Sequence, residues 1–401
     1  MSGRGNKINR DESKFNLKRA VKEDENGADA QKHAGFLNFS ERNPGTVRVS
    51  TENSKAKVIL SICAVFRPAT ALFRFKFLCV GLTLSLIVAF ICALLLGVTN
   101  YSPVVLLDDS EARGLVLSLR LPRVLCATLV GAGLSVVGVA YQALFRNYLA
   151  SPFTLGISSG AALFAAAGVI LGFTSSGGGS IDVSVLALIG ALVSITLILS
   201  VSRGRNRGDG NSLLLVGVVF SFFCSSLMTL LQYLADYSRL FQVTRWMMGG
   251  IPSIGWVDLL VGALSLALII AWLFPRTREL DLVLFGDDLA TVKGVDAQRF
   301  SRATFALSSF LIGWVVANCG VIGFVGIIVP AVARLLVGVR HARVLPVSVM
   351  LGALLVVVCD LLGRCVIAPF EIPAGVFTSV LGGPIFVALL IARPGRYWRQ
   401  L

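Results

Sequence analysis

The sequence predicts an all-α fold: a polytopic transmembrane helical bundle of about ten membrane-spanning helices with both termini cytoplasmic. Three observations carry that prediction. First, 55% of residues are hydrophobic and only 14% are charged, with a mean hydropathy of +0.81. Soluble domains carry about 25% charge, and no soluble core could hide such an apolar excess. Second, from Phe77 onward the chain is mostly a succession of apolar runs, and about 20 such residues cross about 30 Å of hydrocarbon. Third, the breaks between runs alternate in charge, which orients the chain. Helices satisfy every backbone polar group within each span.

Residues 1–70 stand apart from this pattern. "MSGRGNKINRDESKFNLKRAVKEDENGADAQKH" mixes both charge signs with Gly, Asn and Ser and has no sustained apolar face. It reads as a disordered basic cytoplasmic tail, with a small partner-binding motif as the alternative. No apolar core follows closely behind its first basic residues, so it does not resemble a cleavable signal peptide. "VILSICAVF" (58–66) is too short to span and precedes Arg67-Pro68; it reads as an interfacial segment or the start of a long first helix. The transmembrane domain is expected at 71–401. Apolar runs and turn signals place its spans near 77–98, 121–144, 155–172, 183–201, 212–234, 256–274, 303–319, 321–338, 344–362 and 373–392. An even number of spans puts both termini on one side.

The basic stretches "RGRNRG" (203–208), "PRTREL" (275–280), "VRHAR" (339–343) and "RPGRYWRQ" (393–400) all fall on the side of the N-terminus, which makes that side cytoplasmic. The opposite loops, "VTNYSPVVLLDDSEARG" and "FTSSGGGSID", are acidic or neutral. By this count Arg120 and Arg123, in "LRLPR", lie at an outer helix end, as does Arg364 in "LLGRCVIAPFEIPAG". Cations at such ends can simply snorkel to headgroups. They can also receive carboxylates of an external protein, because the guanidinium fork suits bidentate pairing.

The stretch "LRLPRVLCATLVGAGLSVVGVAYQALFRNYLASPFTLGISSGAAL" (119–163) resembles the permease subunits of ATP-binding-cassette importers for iron-siderophores, haem and cobalamin. "WMMGGIPSIGW" (246–256), "LDLVLFGDDLATVKGV" (280–295), "GVIGFVGIIVP" (320–330) and "EIPAGVFTSVLGGPIFVALL" (371–390) follow in the family's order. The resemblance covers nearly everything from about residue 77 to the end. It implies that Arg120, Arg123 and Arg364 receive glutamates of a periplasmic substrate-binding protein. It also implies that "FGDDLATVKGVDAQRF" (285–300), in a segment at about 281–300, forms the coupling helices seated on an ATPase dimer. There Gly286 and Gly294 can bracket a short helix containing Ala290, with Asp287 and Asp288 in its first turn, where negative charge is favoured. "RNYLASP" (146–152) and "GDGNSLLL" (208–215) match positions that close the inner end of the pathway, which makes Asn147, Leu149 and Asn211 candidate gate residues. Read alone, each is a turn or cap residue.

Two positions depart from the family pattern. Tyr148 stands where Pro is usual, and Ala331 stands where His follows the Pro of "IVPAVARLLVG". A second permease is expected as homodimer or heterodimer partner, and a different one could retain the usual motif. Gly131, Gly133, Gly138 and Gly160 suit close helix packing, a path lining, or both.

The sequence lacks a G-x-x-x-x-G-K-[ST] phosphate loop, so the motor is expected to be another subunit and this chain is not expected to be an enzyme. The 8 cysteines form no C-x-x-C pair and read as small apolar residues. His33 and His341 assemble no metal site, and no cofactor is expected. The net charge of +14 suits anionic lipid and needs no nucleic acid. An ion-coupled secondary transporter would need ionisable residues at mid-membrane depth, and Asp360 and Arg364 lie near a span end. The expected function is inner-membrane translocation of an iron-siderophore, with haem or cobalamin as the alternative cargo.

Overall fold

In the computed structural model, residues 75–97, 108–173, 183–203, 210–367 and 369–392 are described. The predicted N-terminal tail, the stretches 98–107, 174–182 and 204–209, and the residues after 392 lie outside them. The described residues form helices and turns. They run α1 (Phe75–Leu95), α2 (Ser110–Leu144), α3 (Ile157–Ile170), α4 (Val183–Arg203), α5 (Gly210–Tyr233), α6 (Tyr237–Met247) and α7 (Trp256–Leu273). They continue with α8 (Thr277–Phe285), α9 (Asp287–Val292), α10 (Ala297–Cys319), α11 (Val325–Val337), α12 (His341–Cys365) and α13 (Ala374–Ala392). Six helices, α1, α2, α5, α7, α10 and α12, are long and apolar enough to cross a membrane, and α3, α4, α11 and α13 contain shorter apolar stretches. Each segment predicted as a span is therefore largely helical.

The axis of the bundle is α2. Every residue from Val130 to Ala143 is buried, and the helix packs against α7, α10, α11 and α12. So close a fit needs small residues. A β-carbon on Gly131 would overlap the Gly352 carbonyl oxygen of α12, and one on Gly138 the Gly326 carbonyl oxygen of α11. With no hydrophobic force between helices in lipid, such close approach is how they gain van der Waals contact.

The boundaries depart from the sequence expectation where local chemistry overrides apolar runs. The second span begins at Ser110 rather than 121, because Asp109 caps it, accepting from the Glu111 and Ala112 amides at 2.8 and 3.3 Å, and a π-helical turn, Val116–Arg120, carries it into the regular helix. The span expected at 321–338 starts at Val325, since Gly320 (φ 70°) and Phe324 (φ 66°) are left-handed. The segment from Asp296 starts earlier than 303 because the Asp296 carboxylate accepts from the Arg299 amide at 3.0 Å. Amphipathic α6 was not expected. It buries Val243 in a small cluster with Ala162, Ala166, Val169, Ile170 and Met228.

Candidate functional site

At the N-terminal part of α2, three arginines converge with two carboxylates. Arg120 Nη1 donates to the carbonyls of Leu94 and Leu95 at 3.0 and 3.1 Å, the kind of terminal carbonyl a helix leaves unpaired. Arg123 donates through Nε and Nη2 to Asp360 Oδ1 at 3.1 and 3.0 Å and through Nη1 to Glu371 Oε2 at 2.9 Å. Arg364 lies with Nε 3.1 Å from Asp360 Oδ2 and donates through Nη1 to the Ala93 carbonyl at 3.1 Å. Asp360 thus bridges two guanidiniums. Three cations against two carboxylates (Asp360 and Glu371) leave this cluster with one positive charge in excess.

The sequence-predicted trio is brought together, but not as three open side chains. Asp360 and Arg364 are each only 3% exposed, so Arg364 is an inward residue of α12 and not an outward-facing helix-end cation. Among the described residues its Nη2 makes no hydrogen bond. Sequence reading missed Asp360 and Glu371 as partners, although Asp360 stands four residues before Arg364, the spacing at which helical side chains meet.

The opposite end of α2, Leu144, lies 21 residues beyond Arg123, about 32 Å along a helix. There the chain leaves the helix through Arg146, whose φ is 51°, a conformation uncommon outside Gly, Asn and Asp. Arg146 forms an ion pair with Asp287 and donates through Nε to the Val283 carbonyl at 3.1 Å. The Asn147 side chain accepts from the Leu149 amide at 2.9 Å, an Asx turn, and Leu149 is exposed. Asn211 is the second residue of α5.

Beside this turn lies a buried polar network. Pro330 has no N–H to offer the Gly326 carbonyl, and Gln142 Nε2 donates to that oxygen at 3.2 Å and to the Ile327 carbonyl at 3.4 Å. Arg334 donates to Gln142 Oε1, and its guanidinium carbon sits 4.5 Å from the Tyr148 ring centroid, a cation–π arrangement. Tyr148, one of the two departures from the family pattern, therefore packs on Arg334, three residues after the other, Ala331. His341 is not in a loop. It opens α12, is buried, and meets Asp281 of α8 through Nδ1 at 2.5 Å.

Gly286 (φ 134°) and Gly294 (φ 82°) bracket α9, and Asp287 and Asp288 stand in its first turn. Ala290 is fully buried beneath it, while Phe285, Leu289 and Val292 are 63%, 47% and 84% exposed. An apolar knuckle with an acidic edge thus protrudes beside the turn at the end of α2.

A many-helix membrane bundle with a charged cluster at one end of its axis and a protruding helical corner at the other has the build of a transport permease. Residues 85–392, more than half of the chain, match the FecCD transport family, and the chain belongs to that family. It is 39% identical over 279 residues to the hemin transport system permease HmuU of Yersinia pestis, covering 69% of this chain and 82% of that protein. It is 36% identical over 318 residues to the vitamin B12 import system permease BtuC of Vibrio cholerae, covering 79% and 94%. An uncharacterised ABC transporter permease of Bacillus subtilis, YvrB, is 36% identical over 295 residues, covering 73% and 83%. Among solved structures, a metal-chelate type ABC transporter in an inward-facing conformation superposes with a TM-score of 0.71 at 30% identity, covering 79% of this chain and 99% of that one. The protein is an ABC importer permease, multi-pass in the inner membrane. Permeases of this kind work with ATPase subunits and a second permease.

Proposed function

We propose that this chain translocates an iron-siderophore chelate, received from a periplasmic binding protein at the arginine cluster and driven by a separate ATPase dimer seated at residues 281–300. The construction of α2 carries this proposal: the arginine cluster forms around Arg123 in its N-terminal part, and Arg146, just past its last residue, Leu144, holds the α8–α9 corner. On this proposal Arg120 and Arg123 take up partner carboxylates, while Arg364, buried against Asp360, supports Arg123 from within through that shared carboxylate. Phe285, Asp288, Leu289 and Val292 offer the ATPase an apolar knuckle with an acidic edge, and Asn147, Leu149 and Asn211 border the inner gate. On this proposal the α9 end is cytoplasmic, a reading supported by the basic loops.

The cargo class is supported by what the relatives are named for: hemin, vitamin B12 and a metal chelate, each a metal ion wrapped in an organic ligand. Haem is the second candidate, favoured by the 39% identity to the hemin permease. The complex reconstituted in nanodiscs with its binding protein tests both. Arg123→Glu should weaken binding-protein docking at least about tenfold, since breaking a desolvated charge pair costs about 2–5 kcal/mol. ATPase stimulation by ferric siderophore, but not by hemin or cobalamin, supports the cargo; stimulation by hemin alone overturns it. Docking within about twofold of wild type would leave the arginines as helix-end anchors.

A further inference from the structure

We infer that Arg146 is a positioning residue that carries displacement of the α8–α9 corner into the turn at the inner end of α2, an inference that rests on the proposed ATPase seat at 281–300. An exposed ion pair alone would not support it, since such pairs contribute little. Four observations act together. Arg146 grips the corner twice, by charge on Asp287 at the start of α9 and by its Nε–H on the Val283 carbonyl near the end of α8. These contacts lie either side of Gly286, the hinge between the two helices. Arg146 itself has φ 51°, so the turn is held in a conformation its residue type disfavours and depends on outside contacts to keep it. Two residues on, Tyr148 covers Arg334 of α11, and Arg334 donates to Gln142 of α2. The turn is thus clamped between the α8–α9 corner on one side and α11 on the other.

This arrangement separates two neighbouring acids. Asp287 and Asp288 are both exposed, but Asp287 is engaged by Arg146, which leaves Asp288 as the acid offered to the partner. A push on α9 moves Asp287, Arg146 follows, and the turn carrying Asn147 and Leu149 shifts against α11.

The experiment is a charge swap in the complete complex in proteoliposomes, with ATP hydrolysis, cargo uptake and ATPase co-purification measured together. Arg146→Glu and Asp287→Arg should each lower uptake per ATP hydrolysed about tenfold while the ATPase subunits still co-purify, and the double swap should return to within about threefold of wild type, as coupled sites in a double-mutant cycle do. Arg146→Lys, which keeps the charge but loses the Nε contact, should fall between. Wild-type uptake per ATP in both single variants, or a double swap no better than the poorer single, overturns the inference. If a single variant fails to accumulate, Arg146→Lys and the double swap decide it by the same ratio. Asp288→Arg tests the seat separately: unchanged ATPase association would move the seat elsewhere, whereas failed rescue with the seat intact would remove Arg146 alone.

Discussion

Asp360 is the residue on which the arginine cluster turns. It accepts from Arg123 and faces Arg364 at 3.1 Å while only 3% exposed. Removing one partner of a buried ion pair typically costs about 3–5 kcal/mol, because the remaining charge stays buried without compensation, whereas replacing the whole set with apolar residues can be near neutral. Asp360→Asn should therefore lower the thermal midpoint of the purified protein markedly, and Asp360→Leu combined with Arg364→Met should be less destabilised than Asp360→Leu alone. Equal midpoints for Asp360→Asn and wild type would show that the pair is solvated. The sequence displayed the three arginines because "LRLPR" and "LLGRC" put them at the ends of apolar runs. It offered the Asp360–Arg364 pair only through their four-residue spacing, and it concealed the pairing with Arg123, which exists only once the fold brings α2 and α12 together.

At the scale of elements, the apolar runs located the cores of the spanning helices, because burial in lipid or in the bundle imposes the same composition on both. Their ends were less legible. The start of α2 was expected at 121 from the apolar run and turn signals, yet the cap at Asp109 and the π turn at Val116–Arg120 extend it. The glycines left packing and path lining open. Gly131 and Gly138 settle as packing sites, each against a carbonyl of a crossing helix. Gly131→Ala should force α2 and α12 apart and reduce the folded fraction recovered from detergent, while Gly81→Ala on α1, which meets open space, should leave it unchanged. Equal recovery of both would mean that the α2–α12 crossing can relax. The short helix at 287–292 was legible for a local reason: two glycines at positive φ enclose it, and only glycine adopts such angles readily.

For the whole molecule, the match to the family begins at residue 85, well after the charged N-terminal segment. Deleting residues 2–55 should leave cargo uptake unchanged at matched expression, and a loss of uptake would assign that segment a role in transport. The arrangement around α2 also bears on the lipid. A helix can answer a change in membrane thickness by tilting, but α2 is walled in by α7, α10, α11 and α12 and has no freedom to lean alone. Its buried stretch, Val130–Ala143, thus behaves as a stiff post at the centre of the bundle. In a bilayer of the wrong depth it is the acyl chains that must stretch or compress around that post, at a cost of fractions of a kcal/mol per Å, so a bilayer matched to the bundle is expected to hold the protein at least cost.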